Sequence, residues 1–182
     1  HKLHACCHGA HAMIEGLRNL VAAHDITAQN LAALSIRVNP RWLKVCDIKA
    51  PRTGLEVKFS YVFLAAMVLH HIDTAAYQSY DDSICGDAGL IATASKITVI
   101  GDEAISDGAV NVSADTQTGV RHTTDFDLMD PIDLSVLGPR LVAKASVLIG
   151  PARAEKIWES MDDLDSMPAA QMARCLQPLQ NA

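Results

Sequence analysis

The first eleven residues hold the densest group of side chains that could do chemistry. Four histidines, two cysteines and a lysine occur there: His1, Lys2, His4, Cys6, Cys7, His8 and His11. Imidazole and thiol groups can transfer protons near neutral pH, and a neighbouring ammonium group can hold an anionic substrate. The segment therefore suggests a proton-transfer site that binds an anion.

Two other interpretations of this segment remain open. If the following helix extends back to His4, then His4, His8 and His11 share one face, and imidazole with thiolate suits zinc. No second ligand cluster, HExxH or CxxC motif accompanies them. Alternatively, the two cysteines are small buried hydrophobes and the histidines are partly solvated on a helix surface. Residue types alone do not choose among these three interpretations.

The elements that must position this segment follow from the period of the apolar residues. Apolar positions recur at helical spacing from Cys7 to His24, with Glu15 among the polar residues between them, which predicts an amphipathic helix. Leu34 to Val38 then alternate apolar and polar residues until Pro40, which predicts a strand of about eight residues. A helix followed by a strand is therefore expected.

The middle of the chain predicts a buried helix and further strands. After a turn at Pro51–Gly54, residues Leu55–Ile72 are apolar nearly all round, which favours a buried helix, although Val57 to Phe63 also alternate as in a strand. A short helical segment is predicted near Ala88–Ala94. Three strand-like runs follow: Ile97–Ile100, Ala109–Ala114 and Val120–Phe126. The last two flank a hairpin loop, Asp115–Gly119.

Beyond Asp130-Pro131 the pattern becomes helical. A helix is predicted over Leu137–Leu148. Gly150-Pro151 ends it and begins the next, whose apolar positions run from Ala154 to Met161, and a last short helix is predicted over Pro168–Leu176. These helices are too few to bury their own apolar stripes and must pack on something else. The fold class predicted is α+β, with helices on a few-stranded, largely antiparallel sheet followed by C-terminal helices.

Composition excludes several functional classes. The 182 residues carry a net charge of −6, which disfavours nucleic-acid binding. The apolar run Phe59–Leu69 is too short to cross a membrane. Five cysteines, two of them adjacent, argue against paired disulfides and favour a reducing, cytoplasmic setting. The chain starts at His1 without a leader-like segment, so we expect it to begin inside a longer protein.

Three stretches of the chain resemble the MmgE/PrpD family. Lys2 to His11 reads KLHACCHGAH and resembles the segment that opens the family's smaller lid domain. Pro51–Tyr61 resembles the family's P-x-T-x-x-E-A-x-F-S stretch. Leu141–Lys144 resembles its return into a large helical domain. The match keeps the expected order from Lys2 to about Leu164, and the two N-terminal stretches are fairly specific together.

The resemblance implies a subunit with a large all-α domain and an α+β lid. Residues 1–130 would then form the lid, and residues 131–182 would be helices completing the large domain. The resemblance also implies that the chain packs against a missing N-terminal helical domain, forms a homodimer, and acts on a small di- or tricarboxylate. It implies neither a metal nor an organic cofactor.

The resemblance also suggests site residues. Lys2 falls on the lysine that reaches the cleft between the domains, and His11 on the family's histidine position. Cys7 replaces a catalytic histidine of the decarboxylase branch, which disfavours decarboxylation. Lys2, Cys7 and His11 are therefore the catalytic candidates, and Arg52 and Lys58, which flank the turn, are the substrate-binding candidates.

The function predicted is that of a dehydratase acting on a 2-methylcitrate-like polycarboxylate. Dehydration removes a proton α to a carboxylate, expels hydroxide with acid assistance and needs cations for the enolate-like charge. An epimerase or isomerase of a small dicarboxylate is the alternative, because it needs the same base and cation without a leaving group. A non-catalytic interaction domain is a third possibility for the isolated chain.

Overall fold

The computed structural model describes residues 2–177 and divides the chain into two units, His1–Pro131 and Ile132–Ala182. The first unit contains, in chain order, α1 (His11–His24), β1 (Leu31–Val38), α2 (Leu43–Cys46), α3 (Gly54–Val57), α4 (Tyr61–Leu69), α5 (Ala88–Ala94), β2 (Ile97–Gly101), β3 (Ala109–Thr116) and β4 (Arg121–Asp127). Short 3-10 helices occupy His8–Ala10, Pro40–Trp42, Tyr77–Tyr80 and Asp82–Gly86. The second unit contains α6 (Leu134–Ile149), α7 (Pro151–Glu159) and α8 (Ala169–Leu176).

The four strands form one mixed sheet in the order β2-β1-β3-β4. Strand β1 pairs antiparallel with β3, which pairs antiparallel with β4. The β1–β2 pair is parallel, with Leu34 opposite Ile97, and parallel strands need a crossover connection. Helices α2 to α5 lie within that connection. The predicted α+β class with a largely antiparallel sheet is therefore confirmed.

Helix α1 packs on β3 and β4. Along β3, Val110, Val112 and Ala114 are buried at alternate positions, as the period of a half-buried strand requires. A Cβ atom on Gly16 of α1 would lie 3.2 Å from side-chain atoms of Val110 and Phe126. The missing side chain at residue 16 therefore allows the helix to lie close to the sheet.

The apolar segment in the middle of the chain is helical, and the alternative strand assignment is wrong. All nine residues of α4 are buried, which explains why this helix lacks a polar face. The single helix predicted over Leu55–Ile72 is instead two helices, α3 and α4. The break falls before Ser60, whose hydroxyl oxygen accepts a hydrogen bond from the Phe63 amide at 3.3 Å and so caps α4.

The strands β3 and β4 are joined by the expected tight loop. Gly119 has φ +81°, in the left-handed region where glycine carries no side-chain penalty. The Gly119 amide donates to the carbonyl of Thr116, and the Thr116 amide donates to the carbonyl of Val120. The predicted hairpin is therefore confirmed; β3 extends two residues further than the sequence pattern indicated, and β4 has the predicted length but begins and ends one residue later.

In the second unit, α6 and α7 pack against each other. A Cβ on Gly138 of α6 would lie 2.8 Å from the Trp158 ring, so the small residue allows this approach. Gly150 has φ +87°, and Pro151 begins α7 as the sequence predicted.

Many large apolar side chains of the second unit stay exposed: Leu134, Val136, Val147, Leu148, Trp158, Met161 and Leu164. Across residues 2–177, we find no helix with the length and apolar character needed to cross a membrane.

Candidate functional site

The N-terminal segment is irregular before it becomes helical. Residues 2–7 lie outside any helix or strand, His8–Ala10 form a 3-10 turn, and α1 begins at His11. The predicted helix start at Cys7 is therefore four residues too early. His4 lies outside the helix, so the proposed zinc face of His4, His8 and His11 at helical spacing is wrong. The part of the chain that the structure describes also holds no group of three or more His, Cys, Asp or Glu residues arranged for a metal ion.

Three hydrogen bonds attach this segment to other parts of the first unit. The Ala5 amide donates to the Thr74 carbonyl at 2.9 Å, and the Cys7 amide donates to the Lys58 carbonyl at 3.0 Å. The Tyr61 hydroxyl donates to the Gly9 carbonyl at 2.8 Å. The segment is therefore fixed to the loop after α4, to the break between α3 and α4, and to the start of α4 itself.

The three catalytic candidates differ in exposure. Lys2 is exposed and Cys7 is half-buried. His11 is 2% exposed, and its ring centroid lies 5.0 Å from that of His4 and 4.9 Å from that of His8. A substrate could contact the His11 ring only if neighbouring side chains moved, whereas it could approach Lys2 directly.

The structure brings Lys58, but not Arg52, into contact with this region. Lys58 is half-buried, and its carbonyl accepts a hydrogen bond from the Cys7 amide. The Lys58 ammonium nitrogen lies 5.0 Å from the centroid of the Tyr80 ring. This cation–π contact holds the charged end over the aromatic face. The Arg52 side chain is 87% exposed, with a guanidinium nitrogen 3.9 Å from a Glu56 carboxylate oxygen. The substrate-binding roles of both residues remain predictions.

Three polar residues of the stretch from Pro51 to Tyr61 contribute to helix capping. The Thr53 hydroxyl oxygen accepts from the Glu56 amide at 3.2 Å, while Glu56 Oε2 accepts from the Arg52 amide at 2.7 Å. This reciprocal pattern resembles a capping box and begins α3. Ser60 then caps α4. Thr53, Glu56 and Ser60 therefore shape the backbone that presents Lys58.

The loop before α5 closes against the same stretch. A Cβ on Gly54 would lie 1.7 Å from the Tyr80 carbonyl oxygen, so only glycine fits there. The Gly54 amide donates to Asp82 Oδ1 at 2.7 Å. Tyr80 in turn donates from its hydroxyl to the Thr74 carbonyl at 2.9 Å. These contacts fix Tyr80 beneath Lys58 and join it to the loop that anchors Ala5.

The cysteines and tyrosines around the segment are mostly buried. Cys6, Cys7, Cys46 and Cys85 are present as thiols rather than as disulfides. Burial, reinforced by the neighbouring Cys7, raises the pKa of the Cys46 thiol. Burial likewise raises the pKa of the Tyr61 and Tyr80 hydroxyls. These groups are therefore protonated at neutral pH, and both tyrosines act as neutral hydrogen-bond donors.

Sequence reasoning missed the polar contacts of His4. Its Nε2 lies 2.9 Å from Glu15 Oε1, and its Nδ1 lies 2.8 Å from Thr74 Oγ1. Glu15, assigned above to the polar side of α1, is 5% exposed. The sequence held one indication that Glu15 lies near the histidines: it is four residues after His11, so the two residues share a helix face. Thr74 gave no local signal, since it meets His4 across 70 residues of chain.

Two cavities of moderate size lie in the first unit. One, of about 400 Å³, includes Arg18, His71 and Thr74 in its lining. The other, of about 420 Å³, includes Lys49, Phe63 and Cys85. None of the five site residues predicted from the sequence lines either cavity. The cavities therefore do not by themselves mark the predicted site.

Comparison with known proteins places this fold in a family. Among curated proteins none matches the chain significantly. A family model described as the MmgE/PrpD C-terminal domain matches residues 4–129. The matched range contains Cys7, His11, Arg52 and Lys58, whereas Lys2 lies two residues before it. Because the match covers more than half of the chain and nearly all of the first unit, the chain belongs to the MmgE/PrpD family.

Proposed function

We propose that this protein is a lyase that dehydrates a small polycarboxylate such as 2-methylcitrate. The family includes dehydratases, and membership in it is the observation that carries the proposal. The anchored segment supports it, because the hydrogen bond from the Cys7 amide to the Lys58 carbonyl ties the N-terminal candidates to the second stretch of family resemblance. Lys2 and Lys58 supply ammonium groups of the kind that a polycarboxylate requires.

The proposed reaction removes the elements of water from a β-hydroxy acid. A base takes the proton on the carbon α to a carboxylate, and the electron pair of that carbon–hydrogen bond forms the carbon–carbon double bond. The carbon–oxygen bond of the hydroxyl breaks, and its electron pair leaves with hydroxide. The departing hydroxide takes up a proton and leaves as water. Negative charge grows on the carboxylate as the proton departs, so a nearby cation stabilises the transition state more than the ground state.

We assign the stabilising charge to Lys2. Its exposure lets it meet a substrate that approaches from outside the first unit. Lys58 is the second candidate cation, because the Tyr80 ring holds its ammonium group in place. Arg52 is a third, and its side chain is 87% exposed beside Glu56.

Cys7 and His11 remain the candidates for proton transfer on this chain. Cys7 is half-buried in the irregular segment. The burial of His11 favours Cys7 as the group nearer to the substrate. We propose that the remaining catalytic groups lie on the large helical domain implied by the family resemblance. The exposed apolar side chains of α6 and α7 suit packing on such a domain.

The test is a set of assays on the complete protein. We expect turnover of 2-methylcitrate, followed by the ultraviolet absorbance of the unsaturated product. Lys2→Ala should lower kcat/KM by about 100-fold or more, the scale seen when one transition-state donor is removed. Lys44→Ala, which removes an exposed lysine from α2, is the matched control and should leave turnover unchanged.

Other substrates separate the alternatives. Turnover of iminodisuccinate without turnover of 2-methylcitrate would replace the dehydratase assignment by the epimerase alternative. Activity on cis-aconitate with release of carbon dioxide would indicate decarboxylation, against the inference drawn from Cys7. Silence with all three compounds would refute the substrate class. Full activity of the Lys2→Ala variant would remove Lys2 from the mechanism.

A further inference from the structure

His4, within the candidate catalytic segment, forms a buried polar network with Glu15 and Thr74. The side chains of His4 and Glu15 are only 2% and 7% exposed, and His4 Nε2 lies 2.9 Å from Glu15 Oε1. On the other side of the ring, His4 Nδ1 lies 2.8 Å from the hydroxyl oxygen of Thr74, a residue that is 1% exposed. Both ring nitrogens of His4 are therefore held by buried partners from different parts of the fold.

The chemistry of the three groups fixes the roles of their atoms when the imidazole is neutral and the Glu15 carboxyl group is ionised. An ionised carboxylate only accepts hydrogen bonds, so Nε2 of His4 carries the proton and donates to Glu15. Nδ1 is then an acceptor, and the Thr74 hydroxyl donates to it. A buried carboxylate without such a donor would cost a large part of the stability of the fold. The network therefore constrains the orientation of the ring at both ends.

His4 is close in sequence to two of the catalytic candidates, so the constraint on its ring also affects their backbone. His4 lies two residues after Lys2 and three before Cys7, in a stretch with no helix or strand to hold its backbone. The Thr74 carbonyl also accepts a hydrogen bond from the Ala5 amide, so Thr74 binds the segment through both its side chain and its main chain. The irregular backbone that carries the candidate groups thus depends on tertiary hydrogen bonds for its conformation.

We propose that His4 is a positioning residue, clamped between Glu15 and Thr74 so that the segment holds Lys2 and Cys7 in a working geometry. This inference rests on the proposed function, since it assigns His4 a role in that same site. A misplacement of about 1 Å at a reacting group can lower a rate by about 100-fold. Loosening the clamp should therefore reduce turnover even though none of its three members contacts the substrate.

The test removes one hydroxyl and keeps the shape of the site. Thr74→Val is nearly isosteric and withdraws the donor to His4 Nδ1, whereas Thr74→Ser keeps the hydroxyl and is the matched control. We expect kcat to fall by about 10- to 100-fold in the valine variant, with a smaller change in KM, and to stay within about threefold in the serine variant. Equal activity of the two variants would overturn the proposal.

A double-mutant cycle separates positioning from general destabilisation. If the clamp acts through Lys2, Thr74→Val should cause little further loss of kcat in a Lys2→Ala background, because coupled residues are non-additive. Fully multiplicative losses would show that Thr74 acts independently of Lys2 and would overturn the proposal. If Thr74→Val does not fold, Thr74→Cys takes its place, since a thiol is a weak donor of similar size, and an intermediate loss of kcat is expected.

Hydrogen exchange provides a measurement that needs no substrate. The amides of Ala5 and Cys7 should exchange at least tenfold faster in Thr74→Val than in the wild type, while amides in β3 remain as protected as before. Unchanged exchange at both amides in a folded variant would overturn the clamp. Faster exchange combined with silence of the wild-type protein toward 2-methylcitrate, iminodisuccinate and cis-aconitate would retain the clamp as a structural device and refute only the proposed function.

Discussion

Replacing Gly54 with alanine tests the contact that joins the Pro51–Tyr61 stretch to the loop before α5. A Cβ atom at this position would lie 1.7 Å from the carbonyl oxygen of Tyr80 and 2.5 Å from its carbonyl carbon. Both are backbone atoms, so no rotamer change relieves the overlap. The backbone at Gly54 or at Tyr80 must move instead, and Lys58 and its aromatic partner would be separated.

The cost can be worked from two contributions. Overpacking in a well-packed region costs about 1–3 kcal/mol and occasionally more. The movement also threatens the 2.7 Å hydrogen bond from the Gly54 amide to Asp82 Oδ1, and hydrogen bonds to charged groups contribute about 1.5–3 kcal/mol. We therefore expect Gly54→Ala to lower the free energy of unfolding by about 3–5 kcal/mol. That is a large fraction of the usual total of about 5–15 kcal/mol.

The assay is thermal and urea unfolding followed by circular dichroism, with Gly86→Ala as the matched control. Apart from the adjoining residues and the local helix backbone, no described heavy atom lies within 4 Å of a Cβ built on Gly86. That substitution should change stability by no more than about 1 kcal/mol, in the direction of the folded state, because alanine restricts the unfolded chain. At about 2–4 °C per kcal/mol, Gly54→Ala should lower Tm by about 6 °C or more. A Tm within about 1 °C of the wild type would refute the close approach of Gly54 to Tyr80.

Three further predictions concern the surroundings of the site. Burial raises the pKa of Tyr61 above its ordinary value of 10.0, so the folded state holds that proton more tightly than the unfolded state does; this contribution to stability is complete below about pH 10 and is lost as the pH rises further. Tyr61→Phe should therefore flatten the alkaline decline in Tm. Because it also loses the hydrogen bond to Gly9, it should lower the free energy of unfolding by about 1 kcal/mol at pH 7. Arg52→Ala should change the free energy of unfolding by no more than about 0.5 kcal/mol, because its ion pair with Glu56 is exposed; a larger loss in urea unfolding would contradict this. Iodoacetamide should label Cys46 at neutral pH at least 100-fold more slowly in the native protein than in urea, because burial disfavours its thiolate; equal rates by mass spectrometry would show the thiol to be accessible.

Local pattern was sufficient for most of the secondary structure. The hairpin around Gly119 could be predicted because its requirement for positive φ is carried by one residue. The helical nature of α4 followed from apolar residues on every side, although its length did not, because the cap at Ser60 depends on a hydroxyl that the apolar pattern ignores. The start of α1 was misplaced because residues 2–7 are held by distant partners rather than by local periodicity.

The candidate site shows a sharper division between sequence and fold. The chain sequence places Lys2, Cys7 and His11 close together, and that proximity needs no tertiary structure. Nothing local to Lys58 predicts that its ammonium group lies over Tyr80, or that its carbonyl meets the Cys7 amide 51 residues away. The buried polar contacts of His4 could not be predicted either, because its partner Thr74 is 70 residues distant.

The amino-acid sequence by itself determined the element types, the family resemblance and the cluster of reactive side chains, because each of these depends on the order of residues over short distances. The tertiary structure alone decided which of those side chains are buried, which are exposed, and which are bonded to one another. Burial and pairing are set by chain segments that meet only after folding. The ring of His4, fixed by Glu15 on α1 and by Thr74 after α4, exists as a clamp only because packing brings the three residues together.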